Sequence, residues 1–167
     1  METLTPEQVL ETCGQELNEL IKAHVSPDLQ IDESEILLTL GEQIASTINR
    51  ARDRLTGLYI GRFQPFHKGH LLTITSALKE CEKLIIGLGS PYKSHSERHP
   101  FTAEERLEMV RLALDEEGIP PERYQIIPIP DIGRPALWTR HVTSITPRFG
   151  KVFSGSAYVA RLFEEEG

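Results

Sequence analysis

The chain has 167 residues, a length that suits one domain with a small appendage, because a single core usually serves about 100 to 200 residues. Its formal net charge of −7 argues against a general nucleic-acid surface, which is normally basic, so nucleic acid is not an expected partner. Two cysteines are too few for a disulfide framework or a zinc site, and no apolar stretch approaches the roughly 20 residues that span a bilayer. We therefore predict a cytoplasmic protein without a membrane partner.

Residues 1–56 contain two helical patterns and no strand pattern. The first opens at Thr5, where Gln8 follows at capping-box spacing. A Ser-Pro-Asp breaker at 26–28 interrupts it, and the second pattern begins near Asp32. Because each pattern has one apolar side, we predict a helical hairpin that buries this side against the main domain or another subunit, and we expect a homo-oligomer.

The composition divides near Gly57, which is a fitting stop for the second helix. Residues 57–167 then alternate short β-rich runs with helical patterns. The predicted strands lie near 58–62, 83–89, 124–130 and 151–154, and the predicted helices lie near 69–81, 103–116, 135–146 and 156–164. This alternation predicts an α/β fold, a Rossmann-like doubly wound parallel sheet, preceded by the helical hairpin.

Four loops follow the predicted strands at their carboxyl ends. Ligands of doubly wound sheets bind beyond these ends, where the loops gather. The loops span residues 61–70, 89–101, 131–138 and 154–156. We therefore predict that they converge on one cleft.

The loop at residues 61–70 reads Gly-Arg-Phe-Gln-Pro-Phe-His-Lys-Gly-His and stands between a predicted strand and a helix start. A helix N-terminus presents unpaired N–H groups and a partial positive charge, so it holds an anion readily. Gly69 lets the backbone approach a ligand closely. His67 and His70 can each donate a ring N–H, and either could carry positive charge against a polyphosphate. Arg62 adds a permanent guanidinium, and together these residues predict a phosphate-binding loop.

This decapeptide resembles the HxGH signature of the nucleotidyltransferase superfamily, and its full length is similar to the nicotinamide-nucleotide adenylyltransferases of the archaeal type. The resemblance covers about residues 57–167 and leaves the N-terminal helical extension unrelated. It continues in order through Gly89-Ser90, Ser94-His95-Ser96, Arg98, Pro100-Phe101-Thr102, Glu105-Arg106, Asp131-Ile132, Ala136-Leu137-Trp138 and Ser154-Gly155.

The resemblance implies an enzyme that transfers an adenylyl group from ATP to nicotinamide mononucleotide and gives NAD and pyrophosphate. Such a reaction gains mostly from alignment and from neutralised charge, so it needs no covalent enzyme intermediate. Mg²⁺ is expected to be held mainly by substrate oxygens and water, and no metal ligand is assigned to the chain. ATP, nicotinamide mononucleotide and NAD are therefore the expected ligands, while the choice between nicotinamide and nicotinate mononucleotide stays open.

The same resemblance assigns roles to individual residues. His67, His70 and Arg62 are the expected catalytic residues, which steady the triphosphate and the charge that develops on its α-phosphate. Trp138 is expected to stack on the nicotinamide ring, which is favourable by about 0.5 to 2 kcal/mol, and Asp131 lies where the carboxamide is recognised. The residues expected to bind ATP or its phosphates are Gly61, Arg62, Phe63, His67, Gly69, His70, Arg98 and Ser154.

Members of this family continue into a further strand and a Ser-x-Thr-x-x-Arg motif, whose arginine completes the ATP phosphate site. These 167 residues contain no such motif in register. We therefore expect a domain without its usual C-terminal strand and helix, and slow or absent NAD formation by this chain alone. One alternative is a nucleotide-binding module that is impaired in catalysis. Another is an adenylyltransferase or cytidylyltransferase that acts on a different phosphorylated small molecule, such as pantetheine phosphate or a flavin.

Overall fold

The structure of the protein is a computed structural model that describes residues 4–24 and 33–166. The chain divides into two compact units, Met1–Arg52 and Asp53–Gly167. Within the described residues, no helix is both long enough and apolar enough to cross a membrane.

Two helices, α1 (Pro6–His24) and α2 (Glu33–Arg54), account for the described part of the first unit. A reciprocal cap begins α1, because the Gln8 N–H donates to Thr5 Oγ1 at 3.3 Å and the Thr5 N–H donates to Gln8 Oε1 at 2.9 Å. Asn49 of α2 donates from Nδ2 to the carbonyl of Leu4 at 2.8 Å, which ties the two helices together. The predicted breaker at 26–28 and the predicted helix start at Asp32 lie outside the described residues.

The second unit alternates strands and helices. Its strands are β1 (Thr56–Gly61), β2 (Lys83–Gly89), β3 (Tyr124–Ile129) and β4 (Lys151–Phe153), and its helices are α3 (Lys68–Glu80), α4 (Ala103–Glu116), α5 (Trp138–Ile145) and α6 (Ala157–Glu166). Short 3₁₀ turns at Pro121–Arg123 and Pro135–Leu137 precede β3 and α5. Every strand and helix predicted after residue 57 is present, with small shifts at the ends.

In the described part of the chain, four parallel strands form one sheet in the order β3-β2-β1-β4. The central strand β1 pairs Leu58 with Ile85 on one side and with Val152 on the other. The chain builds the sheet outward from β1 to β3 and then returns to place β4 on the far side of β1. This creates a switch point between β1 and β4, where loops at the carboxyl ends diverge and leave a crevice.

Buried side chains cover both faces of the sheet. One cluster contains Tyr59, Phe63, Ile74, Ala77, Cys81, Leu84, Ile86, Leu88, Val110 and Leu114, which join the strands to α3 and α4. The other contains Leu58, Ile85, Ile129 and Val142, with Trp138 and Phe163 packed against it from α5 and α6. Helices therefore cover both faces, and the predicted α/β doubly wound fold is confirmed.

Gly57 does not end the second helix, so that prediction is wrong. The helix α2 ends at Arg54, and Gly57 is the second residue of β1. A Cβ on Gly57 would lie 2.7 Å from the ring of Phe153 and 3.0 Å from Cys81 Sγ. The glycine is therefore explained by close packing on the sheet, where a larger residue would collide with its neighbours.

Candidate active site

A cavity of about 1020 Å³ opens at the carboxyl ends of the strands. Its wall takes residues from the ends of β1 and β2 and from the segments after β3 and β4, among them Gly61, Gly89, Asp131 and Gly155. The predicted site residues that line it are Gly61, Arg62, His67, Gly69, His70, Asp131 and Trp138. The structure therefore brings together the four loops that the sequence analysis placed at one cleft.

The first turn of α3 holds His67 and His70 in a reciprocal cap. The Gly69 N–H donates to His67 Nδ1 at 3.1 Å, and the His67 N–H donates to His70 Nδ1 at 3.3 Å. Two histidines thus occupy the places that Ser or Thr and Glu usually take in a capping box. A ring nitrogen that accepts an N–H bond carries no proton, so each ring in its neutral form carries its proton on Nε2. Both histidines therefore keep an Nε2–H for a ligand.

His70 is a neutral donor at neutral pH. Burial of its ring, followed by the charge of the neighbouring His67, lowers the pKa of His70 to about 4. The two imidazole rings stack with centroids 3.6 Å apart, and His70 also meets the ring of Phe63 edge-on at 4.9 Å. Burial and the neighbouring His67 therefore disfavour the charged form of His70, and positive charge on this ring against a polyphosphate stays a prediction.

The absence of a side chain at Gly69 leaves space for the ring of His67. A Cβ at this position would lie 3.0 Å from His67 Cε1 and 3.1 Å from His67 Nδ1, which is closer than nearly all real Cβ contacts. A larger residue would therefore displace the imidazole from the first turn of α3. The prediction that Gly69 also lets the backbone approach a ligand stays a prediction.

Arg62 brings positive charge to this wall of the cavity. Its side chain is exposed and lines the cavity directly after β1. Among the described residues, its guanidinium has no hydrogen-bond or salt-bridge partner. Its five donors are therefore available to a ligand.

Asp131 follows β3 and is ionised at neutral pH. Ser90 Oγ donates to its Oδ1 at 3.1 Å, and Lys93 Nζ lies 2.6 Å from its Oδ2. Burial acts to raise the pKa of Asp131, but these two partners and the charges of Lys93 and Arg62 outweigh it and hold the pKa below its usual value. A carboxylate therefore stands at the rim of the cavity.

Trp138 begins α5 and forms part of both the core and the cavity. Its ring meets the edge of Phe163 with centroids 6.0 Å apart, and it packs against the second core cluster. It also lines the cavity. The position is therefore compatible with a core anchor and with a ring that contacts a ligand.

Three predicted ATP-binding residues do not line the cavity. Arg98 is exposed on the loop after β2. The side chain of Phe63 is only 1% exposed and belongs to the core, where it supports His70. Ser154 Oγ accepts from the Ser156 N–H at 3.0 Å and shapes the turn before α6. Their assignments to ATP stay predictions.

Arg106 has no role predicted from the sequence, and the structure places it directly beneath the loops. It is fully buried and donates to the carbonyls of Arg62, Gly89, Ser90 and Thr102. The signal was present in the pattern, because the buried stripe of α4 runs through Arg106, Val110 and Leu114. A charged residue in an apolar stripe indicates a specific polar partner inside the protein.

Comparison with known proteins identifies the family. The model of the cytidylyltransferase-like family matches residues 58–154, which is more than half of the chain. The chain belongs to the cytidylyltransferase-like family. The match includes all of β1 after its first two residues, the strands β2 to β4, His67, His70 and Arg106.

Several curated relatives carry the name nicotinamide-nucleotide adenylyltransferase. The Thermococcus sibiricus protein is 46% identical over 113 residues, which cover 68% of this chain and 61% of the relative. The Pyrococcus horikoshii protein is 46% identical and the Methanocorpusculum labreanum protein 48% identical, with 60% and 64% of their own lengths covered. The resemblance to archaeal proteins of this name is confirmed, and the chain spans about 60% of their length.

A solved structure resembles the same part of the chain. The bifunctional NMN adenylyltransferase/ADP ribose pyrophosphatase from Francisella tularensis superposes with a TM-score of 0.55 and 31% identity. The match covers 66% of this chain and 35% of that protein. A second structure of that protein, complexed with AMP and a Mn ion, superposes with a TM-score of 0.54.

Proposed function

We propose that the second unit binds ATP and nicotinamide mononucleotide in this cavity and transfers the adenylyl group to give NAD and pyrophosphate. The observation that carries the proposal is the wall formed by His67, His70 and Arg62. Two Nε2–H donors and an unpartnered guanidinium face one cavity at a helix N-terminus, which suits a polyphosphate. The names of the relatives supply the second substrate.

The reaction proceeds by direct displacement at phosphorus. A phosphate oxygen of nicotinamide mononucleotide attacks the α-phosphorus of ATP, the bond to the bridging α–β oxygen breaks, and pyrophosphate leaves. His70 donates its Nε2–H to a phosphate oxygen, because its Nδ1 already accepts the His67 N–H and leaves the ring proton on Nε2. Arg62 supplies the charge that balances the additional negative charge on the phosphates.

Asp131 and Trp138 receive the nicotinamide end. The ionised carboxylate of Asp131 can accept a hydrogen bond from the carboxamide N–H, and the indole of Trp138 offers a face to the cationic pyridinium ring. The two residues lie in one segment after β3, so the mononucleotide is held by a different wall from the triphosphate.

A divalent cation, Mg²⁺ in our proposal, accompanies ATP. Within residues 4–24 and 33–166, no group of three or more His, Cys, Asp or Glu side chains is arranged to hold a metal ion. We propose that phosphate oxygens and water hold the ion, because Mg²⁺ usually keeps several waters and binds through substrate phosphates. The ion would neutralise phosphate charge, while the chain orients the substrates.

Competition between ligands tests this proposal. Calorimetric titration of the purified chain with Mg²⁺ should detect binding of ATP and of nicotinamide mononucleotide, and NAD should displace both. Any NAD formation should require nicotinamide mononucleotide and fall in His70→Ala. Failure of NAD to displace ATP, or tighter binding of CTP than ATP, would contradict the proposal.

The same titrations separate the alternatives. Binding of both substrates without any turnover would favour the nucleotide-binding module. Tighter binding of pantetheine phosphate or a flavin phosphate than of nicotinamide mononucleotide would favour a different acceptor. The cytoplasmic location, the homo-oligomer and the lack of a nucleic-acid partner remain predictions from the sequence.

A further inference from the structure

Arg106 is a buried cation whose hydrogen bonds all go to backbone carbonyls. Its side chain is 0% exposed, a state that arginine almost never adopts without partners. Within the described residues it has no carboxylate partner. It donates to the carbonyls of Arg62 (2.7 Å), Gly89 (2.9 Å), Ser90 (3.1 Å) and Thr102 (3.0 Å). One guanidinium therefore joins the end of β1, the end of β2 and the start of α4.

Three of the four carbonyls that Arg106 holds lie at two unusual turns. Phe63 has φ 51° and Ser90 has φ 50°, in the left-handed region that residues other than glycine rarely adopt. The carbonyl of Arg62 belongs to the peptide that leads into Phe63, and the carbonyl of Ser90 belongs to the second turn itself. The hydrogen bonds of Arg106 therefore act where the backbone needs support.

Both turns carry residues of the candidate site. The ring of Phe63 supports His70 from its edge, and the carbonyl of Arg62 anchors the residue whose guanidinium lines the cavity. Ser90 donates from Oγ to Asp131 on the other wall. A displacement of Arg106 would therefore move the backbone of both turns and, with it, residues on both sides of the cavity.

We propose that Arg106 is a positioning residue for nucleotide binding. It holds the ends of β1 and β2 in left-handed turns, and these turns place His70 and Arg62 for the phosphates of ATP. This inference rests on the proposed function, because ATP is the ligand whose affinity reports the geometry. A residue that served only the stability of the core would not couple energetically to His70.

A double-mutant cycle on ATP affinity measures this coupling. Four chains are titrated with ATP and Mg²⁺: wild type, Arg106→Met, His70→Ala and the double variant. Each single change should weaken ATP binding by about fivefold or more. In the Arg106→Met chain, the further His70→Ala change should weaken ATP binding by less than about threefold. The His70 ring is already displaced in that chain, so its removal costs little further affinity.

Arg123 provides a matched control. It also donates to backbone carbonyls, those of Leu78 at 2.7 Å, Cys81 at 3.2 Å and Glu82 at 2.5 Å, but these lie near the amino end of β2, away from the cavity at the carboxyl ends. In an Arg123→Met chain, His70→Ala should keep its full effect on ATP affinity. Thermal unfolding of both methionine variants compares the stability cost of losing the fully buried Arg106 with that of losing the partly buried Arg123.

Arg106→Lys is a conservative variant that keeps the test possible if Arg106→Met does not fold. Lysine keeps the charge, but its compact ammonium group cannot reach four carbonyls, so ATP affinity should lie between those of wild type and Arg106→Met. A full His70→Ala effect in both Arg106 variants would overturn the proposal. So would loss of the folded state in both, which would make Arg106 a residue of core stability. Failure of the wild-type chain to bind ATP would instead reject the proposed function.

Discussion

Two walls of the cavity differ in how firmly the chain holds them. The firm wall is the loop after β1 with Arg62, His67 and His70, and the open wall is the segment after β3 with Asp131 and Trp138. The loop after β1 is fixed by Gln64, whose amide donates to the Phe101 carbonyl at 2.8 Å and accepts from the Phe101 N–H at 3.0 Å. After β3, residues 133–137 are all exposed, and a 3₁₀ turn is their main local order. The wall proposed to bind the phosphates is therefore held in place by the chain itself, while the wall proposed to bind nicotinamide can adjust to a ligand.

Loss of His70 should have the largest effect on the firm wall. We expect His70→Ala to weaken ATP binding by about 1 to 3 kcal/mol, the range for a lost hydrogen bond to a charged group. Calorimetric titration measures the change. His99→Ala is the control, because His99 lies outside the residues that line the cavity and should leave the affinity unchanged. Equal affinity in wild type and His70→Ala would contradict the assignment.

Loss of Trp138 should affect only the ligand proposed to bind at the segment after β3. We expect Trp138→Ala to weaken binding of nicotinamide mononucleotide by about 0.5 to 2 kcal/mol, while ATP affinity stays nearly unchanged. Trp138→Phe keeps an aromatic face and should recover part of the loss. If Trp138→Ala unfolds the chain or weakens both ligands equally, the residue is a core anchor and the nicotinamide assignment fails.

A methyl group added at Gly69 tests whether the position of the His67 ring matters for ATP affinity. In Gly69→Ala the new Cβ should turn the His67 ring away from its preferred rotamer and weaken ATP binding by about 0.5 to 1.5 kcal/mol. Thermal stability should not fall in parallel, because alanine favours a helix over glycine by about 1 kcal/mol. Gly14→Ala in α1 makes the same exchange outside the cavity and should not change ATP affinity. Unchanged ATP affinity in Gly69→Ala would show that His67 needs no such room.

Low pH should slightly lower the free energy of unfolding, because the folded chain resists protonation of His70. Its pKa falls from the ordinary 6.5 to about 4 on folding, so the unfolded chain binds the proton first. The stabilisation is therefore complete above pH 6.5 and declines as the pH falls towards 4. Because the ring is only half-buried, we expect a loss of about 1 kcal/mol at most. Urea unfolding at pH 7.5 and pH 5 should show a smaller acid effect in His70→Gln than in wild type, and equal effects would contradict the account.

The sheet and its loops could be predicted because their signals are local. Buried parallel strands appear as short apolar runs, and the loops between them contain glycine, proline and polar residues. The decapeptide at residues 61–70 predicts a phosphate site by its residue types, and that role stays a prediction. Gly57 was misread for the opposite reason, because its closest neighbours are Phe153 and Cys81, which are remote in sequence.

The state of the site residues could not be predicted, because tertiary contacts determine it. The neutral form of His70 depends on the ring of Phe63 and on the stacked His67. The role of Arg106 depends on carbonyls that lie 44 and 17 residues away along the chain. Residue type and spacing predicted a role for His70, whereas Arg106 appeared only within the resemblance to the family, and only packing defines which proton or carbonyl each one uses.

Nitrogen NMR of histidine-labelled protein tests the central claim most directly, because ¹⁵N shifts report the protonation of each ring nitrogen. At pH 7 the account predicts that His70 is neutral, with the proton on Nε2 and none on Nδ1. Addition of ATP and Mg²⁺ should then shift the Nε2 signal as it donates to a phosphate. A proton on Nδ1, a charged ring at pH 7, or an Nε2 signal that ATP does not move would contradict the account.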